Sequence, residues 1–409
     1  MPHAQPPQRE FTTRHHRVES SGCNVDEDRL VPELTAKRNP AAPDRDPATR
    51  AAPSAWVLDA YRAGERTQIM ALASALSEDC GWSVEIKPLA HRRTDFVPGL
   101  LRAESLAGLR LDESGPLTPP WPDVVISAGM RNEPVARWIR RQSKGRTRLV
   151  WIGRPWAPID TFDLIVTTPQ YRLPETRNVL HNVGTLHRIT PGTLAEAARA
   201  WAPTFDALPR PVVGVICGGH SGPLTFGPAS ARRLGQIATA AAGGGSVIAT
   251  TSPRTSVAAT DALAASLTGP HFLFRWDRAT QNNPYLAILG TADRLIVTSD
   301  TVSMLSEAVA TGKPVEIFDL ENPPRATASV PESAEPADTR MSARIYRGLM
   351  DHGPRRATRD LSLFHRALIR DARCHWVGQA GETPPAKPLD DLERAVNRVR
   401  ELAGDGPVG

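Results

Sequence analysis

Short apolar runs recur along the chain, each followed by a polar, glycine-bearing loop and then by residues at helical spacing. WVLD (56–59), VEIKPL (84–89), PDVVISAG (122–129), TRLVWIG (147–153) and FDLIVTT (162–168) form a first series. VVGVICGGHSG (212–222), SVIATTSPRT (246–255), PHFLFRW (270–276), LIV (295–297) and VEIF (315–318) form a second. Their cores are continuous rather than alternating, the pattern of strands covered on both faces of a parallel sheet. Between them, Gln68 to Leu76 predicts a helix with Ile69, Leu72, Ala73 and Leu76 inward, and Glu133 to Arg141 another. Met304, Leu305, Ala308 and Val309 share one side of a helix that Ser299 or Asp300 can cap and Gly312 ends. Repeated strand-loop-helix units predict a doubly wound α/β fold.

The proline-bounded WAPTFDALPRP (201–211) separates the two series, and ENPPRATASVPESAEPADTR (321–340) reads as a surface loop or insert. The expected organisation is an extension without sustained periodicity over 1–52 and one αβα domain over 53–205. A second αβα domain covers 206–340 and a helical region 341–409, with a charged helix at 388–403. The length of 409 residues accommodates two cores.

Composition narrows the class. Hydrophobic residues make up 40% and charged residues 23%, a soluble globular balance. The net charge of +5 tolerates an acidic ligand or an anionic membrane surface without demonstrating either. Aromatic residues are 5% of the chain and interleave with no basic stripe, which argues against nucleic acid as a partner. Cys23, Cys80, Cys217 and Cys374 lie far apart, matching a reducing compartment better than a disulfide or zinc framework. No apolar run approaches membrane-spanning length and residues 1–20 lack a signal-peptide core, so the expected location is cytoplasmic.

The polar punctuation falls at the carboxyl ends of the strands, where ligands of open α/β sheets bind. There stand Gly64 to Gln68, Gly129 to Asn132, Gly153 to Pro155, Gly218 to Gly222 and Thr251 to Thr255. Any one glycine loop is most simply a turn. Several in equivalent places, with Arg131, Arg154 and Arg254 among them, point to an anionic ligand. Other chemistries fail in detail. AYRAGERTQ lacks the GxGxxG spacing, no Walker A sequence occurs, and GGHSGP is not GxSxG. A DxD pair is missing, and no third ligand joins His181 and His187, which are expected to organise the domain junction. Cys217 reads as a small core residue. Glu307, in mid-helix, is either a solvated acid or a ligand group.

Taken together, WVLDAYRAGERTQ, GRPWAPIDTFDLIVT, GGHSGP, TTSPRT and NPYLAILGTADRLIVTSDTVSMLSEAVATGKPV resemble the ELM1-like family. That family includes bacterial proteins described as glycosyltransferases and plant relatives named for mitochondrial fission. The resemblance implies a GT-B-like architecture, two Rossmann-like αβα domains facing across a cleft. It also implies transfer of a sugar from a nucleotide-sugar, without a metal or other cofactor, to a cell-envelope glycan or lipid-linked acceptor. By the resemblance Glu307 holds the donor ribose. Ser299, Asp300, Thr301 and Ser303 lie near the donor sugar or its phosphates, with Gly218, Gly219, His220 and Ser221 opposite them. Arg254 neutralises the leaving nucleotide. Asp59 and Glu65 are alternative general bases, and Gly64, Gln68, Arg131 and Arg154 line the acceptor or phosphate side. Gly64 is followed by Glu65-Arg66-Thr67-Gln68 where relatives carry His-Glu-Asn-Gln, and Pro253 precedes Arg254 where paired arginines are common. The same resemblance supports an alternative: a non-catalytic scaffold, with peripheral contact at the inner face of a membrane.

Overall fold

In the computed structural model, residues 52–94, 104–277, 279, 282–320, 338–371, 373–379 and 389–405 are described. All but the last residue of the expected 1–52 extension and most of the 321–340 loop lie outside these residues. The first series of apolar runs forms β1 (Ser54–Leu58), β2 (Ser83–Lys87), β3 (Val124–Ala128), β4 (Arg148–Ile152), β5 (Leu164–Thr167) and β6 (Val179–His181). These pair in parallel in the order β2-β1-β3-β4-β5-β6. The second forms β7 (Val212–Ile216), β8 (Ser246–Thr250), β9 (His271–Phe274), β10 (Arg294–Thr298), β11 (Val315–Phe318) and β12 (His375–Trp376). Its order is β12-β11-β10-β7-β8-β9, again parallel. Every residue of β3, β7 and β8 is buried, which is why their sequences are apolar without alternation.

Helices cover these sheets. They are α1 (Ala63–Ser74), α2 (Glu133–Gln142), α3 (Pro191–Phe205), α4 (Pro228–Ala242), α5 (Val257–Ser266), α6 (Tyr285–Thr291), α7 (Val302–Ala310), α8 (Met341–His352), α9 (Leu361–Arg370) and α10 (Asp391–Ala403). The chain thus forms two Rossmann-like αβα units of the GT-B-like kind, as the sequence implied. Among the described residues, no helix is long and apolar enough to cross a membrane.

Three local differences from the sequence reading have physical causes. Helix α1 begins at Ala63, not Gln68: Gly64 stands in its first turn, and the acid Glu65 there suits the positive end of the helix dipole. Helix α7 is capped by Thr301, whose hydroxyl accepts from the Met304 amide at 3.2 Å, because Ser299 and Asp300 are buried with other partners. Helix α3 runs through Pro203 to Phe205, and its Leu194 and Phe205 enter the core around Ile288 and Leu295. The stretch 191–205, read as part of the first domain, therefore packs on the second sheet.

The C-terminal helix lies against α1, β4 and β5 of the first sheet, burying Ala395, Val396 and Val399. At its start, the Asp391 carboxylate accepts from the Val183 and Gly184 amides at 3.1 and 2.6 Å. On the next residue, the Thr185 amide donates to Ser306 Oγ of α7 at 3.0 Å. The passage between the sheets is held from both sides.

Candidate functional site

Read from β9, the second sheet runs in the Rossmann order, reversing between β7 and β10. A crevice opens there at the carboxyl ends of the strands. The residues that follow those two strands meet in it. Asp300, its side chain wholly buried, accepts from the Gly219 amide at 2.8 Å, from Arg254 Nη1 at 2.7 Å and from Thr298 Oγ1 at 2.6 Å. Thr298 Oγ1 accepts from the Gly218 amide at 2.8 Å, and Ser252 Oγ donates to the Gly218 carbonyl at 2.7 Å. A buried carboxylate with three donors organises this loop.

The two glycines are needed by the chain itself. A Cβ on Gly218 would stand 2.2 Å from Asp300 Oδ2, and one on Gly219 would stand 2.1 Å from the Arg254 carbonyl oxygen. The sequence reading gave Asp300, Gly218 and Gly219 to a donor. In the structure they close on each other together with Arg254, whose guanidinium is paired with Asp300 while its side chain stays 43% exposed. Ser299 is likewise internal: its hydroxyl accepts from the Leu320 amide at 3.0 Å and its carbonyl from His365 Nε2 at 2.8 Å. His220 Nδ1 accepts from the Phe226 amide at 3.2 Å, which places the ring proton on Nε2, and burial holds its pKa below the usual histidine value.

Glu307 is not a surface acid. It is 9% exposed and accepts a hydrogen bond from the hydroxyl of the partly buried Tyr285. Burial raises its pKa to about 7, against the opposing hydrogen bond from Tyr285. The hydroxyl that sequence reasoning had not singled out, Tyr285, is the partner that fixes this carboxylate.

The opposite wall comes from the first sheet. A Cβ on Gly64 in α1 would lie 3.9 Å from Ser303 Oγ in α7, so the first turns of these two helices face each other. Glu65 follows. Its Oε1 pairs with Arg62 at 3.5 Å, while Oε2 is buried without a hydrogen-bond partner. Burial raises the Glu65 pKa, opposed by the charges of Arg62 and Arg359. Room for this carboxylate depends on Gly129, where φ is +82° and a Cβ would meet Glu65 Oε2 at 2.7 Å. Arg131 stacks on Tyr61, 4.9 Å from the ring centre.

Other expected residues of this wall are committed to structure. Asp59 accepts from Arg66 Nε at 2.9 and 3.2 Å, and its carbonyl from Asn132 Nδ2 at 2.9 Å. Gln68 Nε2 donates back to the Gly64 carbonyl at 3.0 Å. Arg154 Nη1 donates to the Arg355 and Thr358 carbonyls at 2.8 and 3.3 Å, and Arg172 binds the same turn. Arg154, expected on the acceptor or phosphate side, thus clamps the C-terminal region onto the first sheet through Nη1. His181 and His187 sit at the passage between the sheets, bonded to the Pro174 carbonyl and the Ile189 amide respectively. Among the described residues no group of three or more His, Cys, Asp or Glu could hold a metal ion.

Arg359 links the two walls. Nη2 donates to Ser221 Oγ at 3.4 Å, the side chain also bonds Tyr171 and Tyr346, and its charge acts on Glu65. It lies just before α9 in a stretch that reads only as helical composition, and no sequence signal marks it.

Comparisons with known proteins agree with the resemblance. A family model described as "Mitochondrial fission ELM1" matches residues 63–333. The chain is 29% identical over 241 residues to the Mitochondrial fission protein ELM1 of Arabidopsis thaliana, covering 53% of this chain and 55% of that protein. The chain thus spans about half the length of this curated relative. Solved structures include an S. aureus MnaA–UDP co-structure, with TM-score 0.45, 9% identity, and coverage of 86% of this chain and 97% of that one. A glycosyltransferase from Rickettsia africae gives 0.44 at 10% identity, covering 86% and 99%. The catalytic domain of Starch Synthase IV from Arabidopsis thaliana, bound to ADP and acarbose, gives 0.41 at 12%, covering 86% and 99%. Identities this low carry nothing about shared chemistry.

Proposed function

Because the chain belongs to the mitochondrial fission ELM1 family, and its sheets bring an acid with one partnerless oxygen and two arginines to one crevice, we propose that it is a glycosyltransferase. In this reading it moves a sugar from a nucleotide-sugar to a cell-envelope glycan or lipid-linked acceptor. The observation that carries the proposal is the buried, partnerless Oε2 of Glu65 on one wall, with Arg359 acting on it from the other.

Glu65 is the general base: burial raises its pKa above the usual carboxylate value and its Oε2 has no hydrogen-bond partner, whereas Asp59 is held by Arg66. The acceptor hydroxyl gives its proton to Oε2 as its oxygen bonds to the anomeric carbon. The bond from that carbon to the donor phosphate breaks, and the nucleoside diphosphate leaves with the electron pair. Arg254 and Arg359 lie where that charge develops, and the His220 Nε2–H adds a neutral donor. Glu307, oriented by Tyr285, accepts from the ribose hydroxyls, and Ser303 with the first turn of α7 faces the diphosphate.

Calorimetric titration with UDP, GDP, ADP, CMP and their sugars tests this. One of them is expected to bind, and binding of none at millimolar concentration removes the proposal. The scaffold reading is favoured by the internal engagement of Ser299, Asp300 and Arg154. Nucleotide-sugar binding without turnover, across envelope glycan and lipid-linked acceptors, would select it.

A further inference from the structure

Seven large hydrophobic side chains are exposed among the described residues, and three of them, Met341, Ile345 and Leu349, belong to α8. Spaced four apart, they form one stripe along that helix. Met341 is 79% exposed and Ile345 66%. The stripe is not the inner face. Ala343 is buried, and Tyr346 packs toward Gly222 and accepts from the Arg359 amide at 2.8 Å. The helix therefore shows one side to the protein and a second apolar side to solvent.

Its polar flank is basic. From 340 to 356 the chain carries Arg340, Arg344, Arg347, Arg355 and Arg356 against the single acid Asp351. The last four arginines are exposed, and none of them enters an ion pair among the described residues. An apolar stripe on a helix whose other exposed flank carries arginines in excess of acids has the form of a helix lying in the plane of a lipid interface. The cations select a negatively charged surface, each contributing roughly fivefold to partitioning.

We propose that α8 with the turn after it docks the protein on an anionic lipid surface. Apolar side chains enter the headgroup boundary while the arginines meet lipid phosphates and carboxylates. Because Tyr346 bonds Arg359 behind the stripe, docking sets the crevice rim beside the membrane. The proposal does not depend on turnover of any sugar.

Co-sedimentation with phosphatidylcholine vesicles, with and without phosphatidylglycerol, tests it. The full chain is expected to sediment with the anionic vesicles at low salt and to be released by added salt. Met341→Ser/Ile345→Ser should lower the partition coefficient at least tenfold, and Arg344→Gln/Arg347→Gln should lower it on anionic vesicles alone. All four positions are exposed, so unchanged circular dichroism and melting are expected. No sedimentation of wild type, equal binding to neutral vesicles, or equal binding by the variants would overturn the proposal. So would size-exclusion chromatography showing a dimer that Met341→Ser/Ile345→Ser converts to monomer, since the stripe would then cover a second copy.

Discussion

Replacing Glu307 by Gln should make the protein more stable in mild alkali and leave it unchanged in acid. The buried carboxyl has its pKa raised from 4.5 to about 7, with burial as the main cause. A raised folded-state value means that the folded protein holds a proton the unfolded chain has released. The associated stability is fully present below pH 4.5 and is lost as pH rises through about 7. At 1.36 kcal/mol per unit the loss is about 3 kcal/mol by pH ~8. Glutamine keeps an oxygen for the Tyr285 hydroxyl and never ionises, so it escapes that loss. Urea unfolding of both proteins at pH ~5 and ~8 measures this, with a constant m-value as the check on two-state behaviour. Glu133, also raised to about 7 by burial, contributes equally to both proteins and cancels in the comparison. A gap that does not change with pH, or a variant less stable than wild type at pH ~8, refutes the reasoning. The same substitution bears on the donor site. If the ionised carboxylate receives ribose hydroxyls, nucleotide affinity should rise through pH 7 in wild type only, and Gln should bind about tenfold to more than a hundredfold more weakly near pH ~8.

Glu65→Gln should lower the rate of transfer by roughly 10²–10⁴ with nucleotide affinity little changed, measured as release of nucleoside diphosphate at saturating donor. Gly219→Ala should destabilise by about 1–3 kcal/mol or more, because the added methyl meets the rigid Arg254 backbone; urea unfolding reads this. Asp391→Ala strips two amides of their acceptor at the passage between the sheets, costing about 2 kcal/mol or more, with faster proteolysis of α10 as the second readout.

The strands were legible because a run buried on both faces has to be apolar throughout, and β3, β7 and β8 are so buried. The site was legible as a neighbourhood rather than as roles. Asp300 follows a strand and looks available to a ligand, yet its partners Gly219 and Arg254 stand 81 and 46 residues away in sequence. Arg154 looks like a phosphate ligand until its acceptor appears at Arg355, 201 residues on. Local pattern reports which face a side chain takes and is silent on who waits there. Glu307 shows the same limit: the pattern left it either a solvated acid or a ligand group, and only the structure shows its burial beside Tyr285. Arg359 sits outside any periodic segment, and only the closing of the two units gives it meaning.

The meeting of Asp391, Val183, Gly184, Thr185 and Ser306 has a mechanical consequence. The outward passage from the first sheet and the start of the returning helix are bonded to each other at a single place. Two links fixed at one point act as a pin. The clamp of Arg154 and Arg172 on the 355–358 turn is a second attachment, so sliding of the units along the crevice is opposed at two points. The two attachments hold Gly64 and Ser303 facing each other.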